Sequence, residues 1–326
     1  MPNQKEVLQP LVSIIVITYN SAKYVIETLE SAKEQTYQNI ELIVTDDCST
    51  DETVSICETW IRRNRTRFVN TELITVNENT GIPSNCNRGI ARAKGEWVKL
   101  IAGDDCLKKD AIVIYMDYIN LNPLTKFLHA KMDIFMESFS VSNKMPYFDY
   151  DDFSFNKETI SPKEQFQILL RINPLNAPTS FIKSELFVRF GVFNEGYRLW
   201  EDRPMWLKLT ENGIKLNYID FVTVRYRRSS DSVQVKKNNS KIFAEFEILK
   251  EGYMMDYNSY LGSMERIIKT IEYNRKKILD KVGLNKIAIL PRIINVVTGY
   301  FFIRYINRLN EKYYFINIEN NLIDKK

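Results

Sequence analysis

Short apolar runs alternate with amphipathic segments along roughly the first hundred residues of the chain. Apolar runs of this length are typical of strands buried in a parallel sheet, and they occupy residues 11–18, 41–45, 72–76 and 96–103. The intervening segments repeat apolar residues at helical spacing, which predicts helices over residues 21–34, 49–62 and 84–93. Ser49 and Glu52 are predicted to form a capping box at the start of the second helix. This alternation predicts an α/β fold with a doubly wound, mostly parallel sheet flanked by helices.

Two of the predicted strands end in pairs of acidic residues. Asp46 and Asp47 follow the second strand, and Asp104 and Asp105 follow the fourth. Because right-handed crossovers bring the carboxyl ends of parallel strands to one edge, both pairs should face the same crevice. Adjacent carboxylates repel each other and stay ionised only beside a cation or strong donors. We therefore expect a polar ligand at the first pair and a polyanion with a divalent metal at the second.

Composition narrows the range of partners. The net charge is only +4, which argues against nucleic acid as the main partner. The four cysteines show no Cys-x-x-Cys spacing and His129 is the single histidine, so we do not expect a zinc site. No P-loop and no Gly-x-Gly-x-x-Gly motif follows the first strand, which argues against a P-loop enzyme and against a dinucleotide-dependent oxidoreductase. The first residues lack the pattern of a signal peptide, so we expect a cytoplasmic protein.

The second half of the chain predicts further helices and strands. Ser161, Pro162 and Glu164 indicate the start of a short helix, and residues 178–182 indicate a strand. A later helix should begin near Glu201 and Asp202 and end near Gly213. Acids in a first helical turn are ordinary stabilisers, so their position alone assigns them no chemistry. His129 lies in a strand-like stretch and is expected to pack in the core.

Residues 233–326 predict a helical C-terminal extension, with helices over residues 236–256 and 260–281. Residues 287–303 are strongly apolar but are interrupted by Pro291 and Arg292, so they are too short and broken to span a membrane. Residues 287–316 suit an amphipathic element at the inner membrane face. They suit equally a helix packed on the catalytic domain or in a homodimer contact.

Four segments, taken in order, carry a more specific signal: VSIIVITYN, QTYQNIELIVTDDCSTDET, NENTGIPSNCNRGIARAKGEWVKLIAGDD and PTSFIKSELFVRFGVFNEGYRLWEDRPMWLKL. Over residues 11–232 the chain resembles the inverting family 2 glycosyltransferases, which have the GT-A fold. The resemblance implies a GT-A catalytic domain in residues 1–232. Residues 11–106 would bind a nucleotide sugar and residues 107–232 an acceptor.

The resemblance implies roles for the residues that follow the first two strands. Thr18 and Tyr19 would cradle the nucleotide base, with Tyr19 available for stacking. Asp47 would accept a hydrogen bond from the base, a uracil in many relatives, and Asp46 would support that loop. Two alternatives stay open, because Tyr19 also suits a packed aromatic at a strand end and Asp47 also suits a helix cap.

The phosphate side of the donor site is implied in the same way. Asp104 would lie near the ribose, and Asp105 would bind the Mn²⁺ or Mg²⁺ ion that bridges the diphosphate. The asparagines of the nearby segments complete the implied nucleotide-sugar-binding set: Asn20, Asn79 and Asn87.

On the acceptor side, the resemblance makes Asp202 the general base that takes the proton of the acceptor hydroxyl. Glu201 would orient Asp202 or bind a hydroxyl, and Trp200 would stack on a sugar face. Arg203 would pair with a donor phosphate or else be a surface cation, and Trp206 at helical spacing is expected in the core.

Together these assignments imply transfer of a sugar, from a UDP-sugar in many relatives, to a hydroxyl of a glycan or lipid-linked acceptor in surface polysaccharide assembly. Three departures limit the resemblance. Ala102 replaces an acid found in many relatives, Ser229 replaces a histidine, and the Gln-x-x-Arg-Trp of processive relatives is absent. The alternatives are a sugar nucleotidyltransferase, which would show a Gly-rich basic loop after the first strand, and a sugar-binding protein without turnover.

Overall fold

The computed structural model describes residues 9–146, 154–198, 200–229, 250 and 252–281. The chain divides into two compact units. The first comprises Met1–Phe148, Ser161–Leu169 and Asn173–Ser229, and the second comprises Asp149–Ile160, Leu170–Ile172 and Ser230–Lys326. The first unit contains the sheet and every predicted site residue, so the site can be built from that unit alone.

An eight-stranded sheet forms the centre of the first unit. Its strands are β1 Val12–Thr18, β2 Ile40–Asp46, β3 Thr71–Thr75, β4 Trp97–Ala102, β5 Cys106–Leu107, β6 Phe127–Met136, β7 Phe181–Lys183 and β8 Asn217–Arg228. They lie in the order β3-β2-β1-β4-β7-β6-β8-β5. Only β5 and β7 run against the others, which confirms the prediction of a mostly parallel sheet.

The α-helices that lie wholly within the described residues are α1 Val25–Lys33, α2 Thr53–Asn64, α3 Ile82–Arg92, α4 Ala111–Leu121, α5 Pro162–Leu169, α6 Glu185–Phe190, α7 Asp202–Glu211 and α8 Ser263–Lys281. α1, α2 and α3 each connect strands of the parallel part of the sheet, as the alternating pattern predicts. The β-branched runs of β1 and β2 are almost wholly inaccessible to solvent, because helices cover both faces. This packing fixes the carboxyl ends of β1, β2 and β4 side by side.

The predicted helix starts have different outcomes. At α5 the capping box is confirmed: the Ser161 N–H donates to Glu164 Oε2 at 2.8 Å, and the Glu164 N–H donates to Ser161 Oγ at 3.2 Å. At α2 the box predicted from Ser49 and Glu52 is wrong. The Ser49 hydroxyl donates to the buried Asp46 carboxylate, and α2 begins at Thr53.

One predicted strand is partly wrong. Residues Ala177–Thr179 form a 3₁₀ turn, and only Phe181–Lys183 joins the sheet. Pro178 explains the difference, because proline has no N–H for a sheet hydrogen bond. His129 is buried in β6 as predicted, and burial lowers its pKa to about 3.

The C-terminal predictions are only partly covered by the described residues. α8 confirms the helix expected over residues 260–281. Most of the predicted helix at 236–256, and all of residues 287–316, lie outside the described residues. No helix within the described ranges is both long enough and apolar enough to cross a membrane.

Candidate active site

The carboxyl ends of β1 and β2 are joined by a buried hydrogen-bond network around Asp46. Thr18 lies opposite Asp46 in the parallel register, and its Oγ1 donates to Asp46 Oδ2 at 2.7 Å. The backbone N–H of Ser49 donates to the Oδ1 atom of the same carboxylate at 2.7 Å. Asp46 therefore holds the loop after β2 against β1.

The Asp47 carboxylate accepts its hydrogen bonds from a different segment, the turn before α3. The Thr80 hydroxyl donates to Asp47 Oδ1 at 2.7 Å, and the Gly81 N–H donates to Oδ2 at 2.7 Å. Arg88 Nη2 donates to Oδ1 at 2.6 Å in an ion pair. These bonds hold the pKa of Asp47 below its usual value against the opposing effect of its burial. Gly81 has φ +96°, a conformation that favours glycine in such a turn.

Tyr19 and Asn20 follow β1 directly and are exposed to solvent. The Tyr19 side chain is 50% exposed, so its ring is accessible for stacking rather than packed. Asn20 has φ +50°, and its Oδ1 accepts a hydrogen bond from the Thr50 N–H at 2.8 Å. Asn20 thus joins the end of β1 to the loop after β2.

Asn79 and Asn87 connect the α3 region to the segment that precedes α7. Asn79 Oδ1 accepts a hydrogen bond from Arg198 Nη2 at 2.9 Å. Asn87 is buried; its Nδ2 donates to the carbonyl oxygen of Phe193 at 2.9 Å, and its Oδ1 accepts from the Phe193 N–H at 3.0 Å. Both side chains therefore position the loop that leads to Glu201.

Asp104 and Asp105 occupy the tight turn in which the chain reverses between β4 and β5. Gly103 permits this turn to approach β1 closely, since a Cβ there would lie 2.8 Å from Thr18 Cγ2. Asp105 is buried, and its Oδ1 accepts a hydrogen bond from the Arg227 N–H at 2.8 Å. Its Oδ2 is also buried and accepts no hydrogen bond from any residue that the structure describes.

The electrostatics of this turn differ from those of Asp47. Burial raises the pKa of Asp104, and burial together with the Asp104 charge raises the pKa of Asp105 well above its ordinary value. Two cations oppose this effect. One is Arg227, and the other is Lys99, whose own pKa burial lowers to about 7 while the Asp105 charge opposes that shift.

This turn fits a divalent cation, since the buried Oδ2 atom of Asp105 is a hard oxygen ligand without another partner in the described part of the chain. No group of three His, Cys, Asp or Glu residues gathers there or elsewhere among the described residues. Asp105 would therefore hold the ion, and oxygen atoms of a bound diphosphate would supply further ligands.

Glu201 and Asp202 lie at the amino end of α7, as predicted. Asp202 Oδ2 accepts a hydrogen bond from Asn173 Nδ2 at 2.6 Å, and Oδ1 accepts from the Arg203 N–H at 2.6 Å. Burial and the neighbouring Asp202 charge raise the pKa of Glu201 to about 8. The pair thus combines a carboxylate held by donors with a carboxylic acid that keeps its proton at neutral pH.

The flanking residues are mostly buried. Trp200 is 6% exposed and packs edge to face on Tyr197. Arg203 is buried as well, and its Nε donates to the carbonyl oxygen of Leu169 at 2.7 Å, which excludes the surface-cation alternative. Trp206 packs edge to face on Phe127 in the core, as predicted.

Tyr226 of β8 connects the two acidic pairs electrostatically. Burial raises its pKa most, and the charges of Asp105, Asp104 and Glu201 raise it further. The charges of the β4–β5 turn and of the start of α7 therefore shift the pKa of Tyr226 in the same direction.

Sequence reasoning missed several polar residues that build the site: Asn85, Arg88, Lys99, Asn173 and Arg227. Lys99 is buried within an apolar strand, and a lysine at such a position was the one local signal available. Asn173 and Arg227 reach the acidic pairs only through the tertiary fold.

The chain is similar to proteins named as glycosyltransferases. A 297-residue match to an uncharacterized glycosyltransferase of Haemophilus influenzae is 23% identical and covers 85% of this chain and 89% of that protein. The putative teichuronic acid biosynthesis glycosyltransferase TuaG of Bacillus subtilis is 30% identical over 139 residues, which are 37% of this chain and 54% of TuaG.

Solved structures share the fold. The structure of S. aureus TarS 1-349 in complex with UDP-GlcNAc has a TM-score of 0.58 at 21% identity and covers 82% of this chain and 72% of that chain. The mannosyltransferase PcManGT from Pyrobaculum calidifontis, in complex with GDP-Man and Mn²⁺, has a TM-score of 0.51 at 16% identity and covers 91% and 81%. The mixed α/β sheet described above is thus a GT-A fold.

The family model described as glycosyl transferase family 2 matches residues 13–178, which carry the acidic pairs after β2 and β4. This match covers half of the chain and agrees with the named relatives and with the fold. The chain belongs to glycosyl transferase family 2 and is a glycosyltransferase.

Proposed function

We propose that the protein transfers a sugar from a nucleoside-diphosphate sugar to a hydroxyl group, with inversion, using a divalent metal at Asp105 and Asp202 as the base. The observation that carries this proposal is the buried Oδ2 atom of Asp105, which has no partner among the described residues. An unpartnered buried carboxylate is costly, and a bound cation would relieve that cost.

The donor would lie along the carboxyl ends of β1, β2 and β4. The exposed ring of Tyr19 supports a stacked base, and the TarS structure with UDP-GlcNAc supports a uridine nucleotide. Asp47 is already held by Thr80, Gly81 and Arg88. A direct bond from Asp47 to the base would have to replace one of these contacts, whereas support of the base-binding loop needs no change.

At Asp202 the proposed step is a single displacement. Asp202 takes the proton of the acceptor hydroxyl as that oxygen bonds to the anomeric carbon, while the bond from this carbon to the diphosphate oxygen breaks. Asn173 fixes the orientation of the carboxylate through Oδ2, and the first turn of α7 favours its negative charge. A metal at Asp105 would stabilise the charge that develops on the leaving diphosphate.

Glu201 suits a different task from Asp202. With a pKa of about 8, it carries a proton at neutral pH and can donate a hydrogen bond to an acceptor oxygen. We therefore assign Glu201 to acceptor orientation and Asp202 to proton removal. TuaG, whose name gives a putative role in teichuronic acid biosynthesis, supports a glycan acceptor in polysaccharide assembly.

The test is release of nucleoside diphosphate from a panel of UDP- and GDP-sugars with Mn²⁺ or Mg²⁺, comparing the wild type with Asp202→Asn. Slow transfer to water reports the donor even without the natural acceptor. We expect Asp202→Asn to lower turnover by roughly 10²–10⁴-fold, the usual effect of losing a general base. Donor affinity should stay within about twofold, because Asp202 does not bind the nucleotide in this scheme.

Glu211→Gln is the matched control, since Glu211 is an exposed acid at the other end of α7. It should leave release unchanged. Turnover by Asp202→Asn at the wild-type rate would remove Asp202 from the mechanism. Metal-dependent nucleotide binding without release from any donor, in the wild type itself, would favour either a strict acceptor requirement or a binding protein.

A further inference from the structure

Arg227 is a buried arginine directly behind the Asp104–Asp105 turn. Its backbone N–H donates to Asp105 Oδ1 at 2.8 Å, and its Nε donates to the carbonyl oxygen of Asp104 at 2.8 Å. Its Nη1 donates to the carbonyl oxygen of Glu137 at 2.6 Å. The guanidinium therefore joins the turn to the end of β6.

The remaining surroundings restrict the guanidinium to one orientation. Its central carbon lies 4.2 Å from the ring centre of Tyr24 and 4.0 Å from that of Phe139. The Nη2 atom lies 3.1 Å from Glu27 Oε2. An arginine that lies between two aromatic rings, donates two hydrogen bonds from its guanidinium and forms an ion pair with Glu27 has little freedom, so the groups bonded to it are held rigidly as well.

Glu137 provides an independent sign that this contact is under constraint. It has φ +59°, an uncommon backbone conformation for a residue other than glycine. The Glu137 N–H donates to the Arg228 carbonyl oxygen at 2.9 Å, while its own carbonyl oxygen accepts from Arg227. Residues in such conformations persist where their surroundings determine them, commonly near functional sites.

We propose that Arg227 is a positioning residue for the transfer reaction, because its guanidinium fixes the backbone of the Asp104–Asp105 turn in the geometry that binds the metal and diphosphate. This inference rests on the proposed metal site at Asp105. Arg227 does not touch the substrate in this role. It acts through the carbonyl oxygen of Asp104 and through the backbone bond to Asp105 Oδ1.

Arg225 is a matched control two residues earlier in β8. Its guanidinium also lies over the Phe139 ring, at 5.0 Å, so it shares the charge and the aromatic contact. Arg225 is paired with Cys106 through the sheet backbone, and its side-chain Nε has no hydrogen-bond partner among the described residues. A comparison of Arg227→Met with Arg225→Met therefore separates positioning of the turn from loss of a nearby cation.

The first measurement is hydrogen exchange of the backbone amides at residues 103–107, which needs no ligand. Arg227→Met should speed exchange there and at residues 137–139, and Arg225→Met should not. The second is Mn²⁺-dependent binding of UDP by titration calorimetry. Because residues that support a metal ligand are commonly worth roughly 10–100-fold in metal affinity, we expect a loss in that range for Arg227→Met and about twofold or less for Arg225→Met.

Arg227→Lys keeps the charge but replaces the planar fork with a single ammonium group, so it should also weaken binding, by roughly fivefold or more. It carries the test if Arg227→Met does not fold. Equal exchange and equal UDP affinity in the Arg227 and Arg225 variants would overturn the proposal. If the wild type binds no UDP with Mn²⁺, the proposed function fails, and the exchange result still decides whether Arg227 holds the turn.

Discussion

The same dipeptide, Asp-Asp, stands at the ends of the two strands that flank β1, yet the two copies differ in how their carboxylates are hydrogen-bonded. Asp46 and Asp47, after β2, accept hydrogen bonds from side chains and backbone of the loop, and Asp47 also pairs with Arg88. Asp105, after β4, keeps one buried oxygen without a partner among the described residues. The pKa of Asp47 is lowered, whereas the pKa of Asp105 is raised.

This difference shows that a motif predicts where a carboxylate lies but not whether its oxygen atoms are left to bind a ligand. Each hydrogen bond to Asp47 stabilises the folded chain, so the Asp47 carboxylate contributes to the stability of the turn before α3. The unpartnered oxygen of Asp105 has the opposite effect, because a buried polar atom without a hydrogen-bond partner costs stability until a ligand binds. Sites that bind or react commonly carry such a cost.

The largest effect expected from this comparison concerns Asp105, in the acidic pair after β4. Replacing Asp105 by Asn keeps the shape of the side chain and removes its charge. We expect metal-dependent donor turnover to fall by roughly 10²–10³-fold, because stabilisation of the leaving diphosphate would be lost. Nucleoside-diphosphate release in a series of Mn²⁺ concentrations measures this.

Asp47→Asn, assayed in parallel, should keep most of the metal dependence. If Asp105→Asn bound Mn²⁺ and UDP as tightly as the wild type, the proposed metal site would be wrong. If Asp47→Asn lost metal dependence to the same extent, the two pairs would not differ in the way the hydrogen bonds indicate.

The second effect is on folding. Asp47→Asn removes the ion pair with Arg88 and turns an amide donor towards the donors of the 80–81 turn. We expect its free energy of unfolding to fall by about 2–3 kcal/mol. Asp105→Asn should leave that free energy unchanged or raise it by up to about 1 kcal/mol, since burial and the Asp104 charge disfavour the charged form of the Asp105 carboxyl in the folded chain.

Urea denaturation of the wild type and both variants without metal decides this point. Arg88→Met should destabilise the chain like Asp47→Asn, and the double variant should be no worse than the sum of the two. A larger loss of stability for Asp105→Asn than for Asp47→Asn would reverse the comparison.

The sequence predicted the fold well because its strongest signals are local. The β-branched runs of β1, β2 and β4 and the helical spacing between them are visible without tertiary information, and the parallel order follows from them. The boundaries were less certain, as the capping box at Ser49 shows. There a buried carboxylate competes for the hydroxyl, and only the folded structure reveals that competitor.

The site was predictable in its acids but not in its cations and amides. Asp105 and Asp202 belong to motifs, whereas Asn173 and Arg227 are distant in sequence and reach those acids only when the sheet forms. The occupation of Asp47 by Thr80 and Arg88 was equally invisible. The roles of the predicted site residues in catalysis and donor binding therefore stay predictions, now with defined partners.

The smallest effect concerns the third acidic pair, Glu201 and Asp202. In this pair one carboxyl group accepts hydrogen bonds, and the other has a raised pKa. Asp202 is held by Asn173, while burial and the Asp202 charge raise the pKa of Glu201 from 4.5 to about 8. Between these values the folded chain binds a proton that the unfolded chain has released. Its free energy of unfolding therefore falls as the pH rises through this window, and Glu201→Gln removes that dependence.

The stability difference between Glu201→Gln and the wild type should thus grow from about pH 5 to about pH 8.5 in favour of the variant. We expect on the order of 1 kcal/mol, because Glu201 is partly exposed and solvent weakens its interactions. Urea denaturation of the wild type and of Glu201→Gln at both pH values measures it. A difference that is independent of pH would mean that Glu201 ionises normally, and Glu201 could then compete with Asp202 as the proton acceptor.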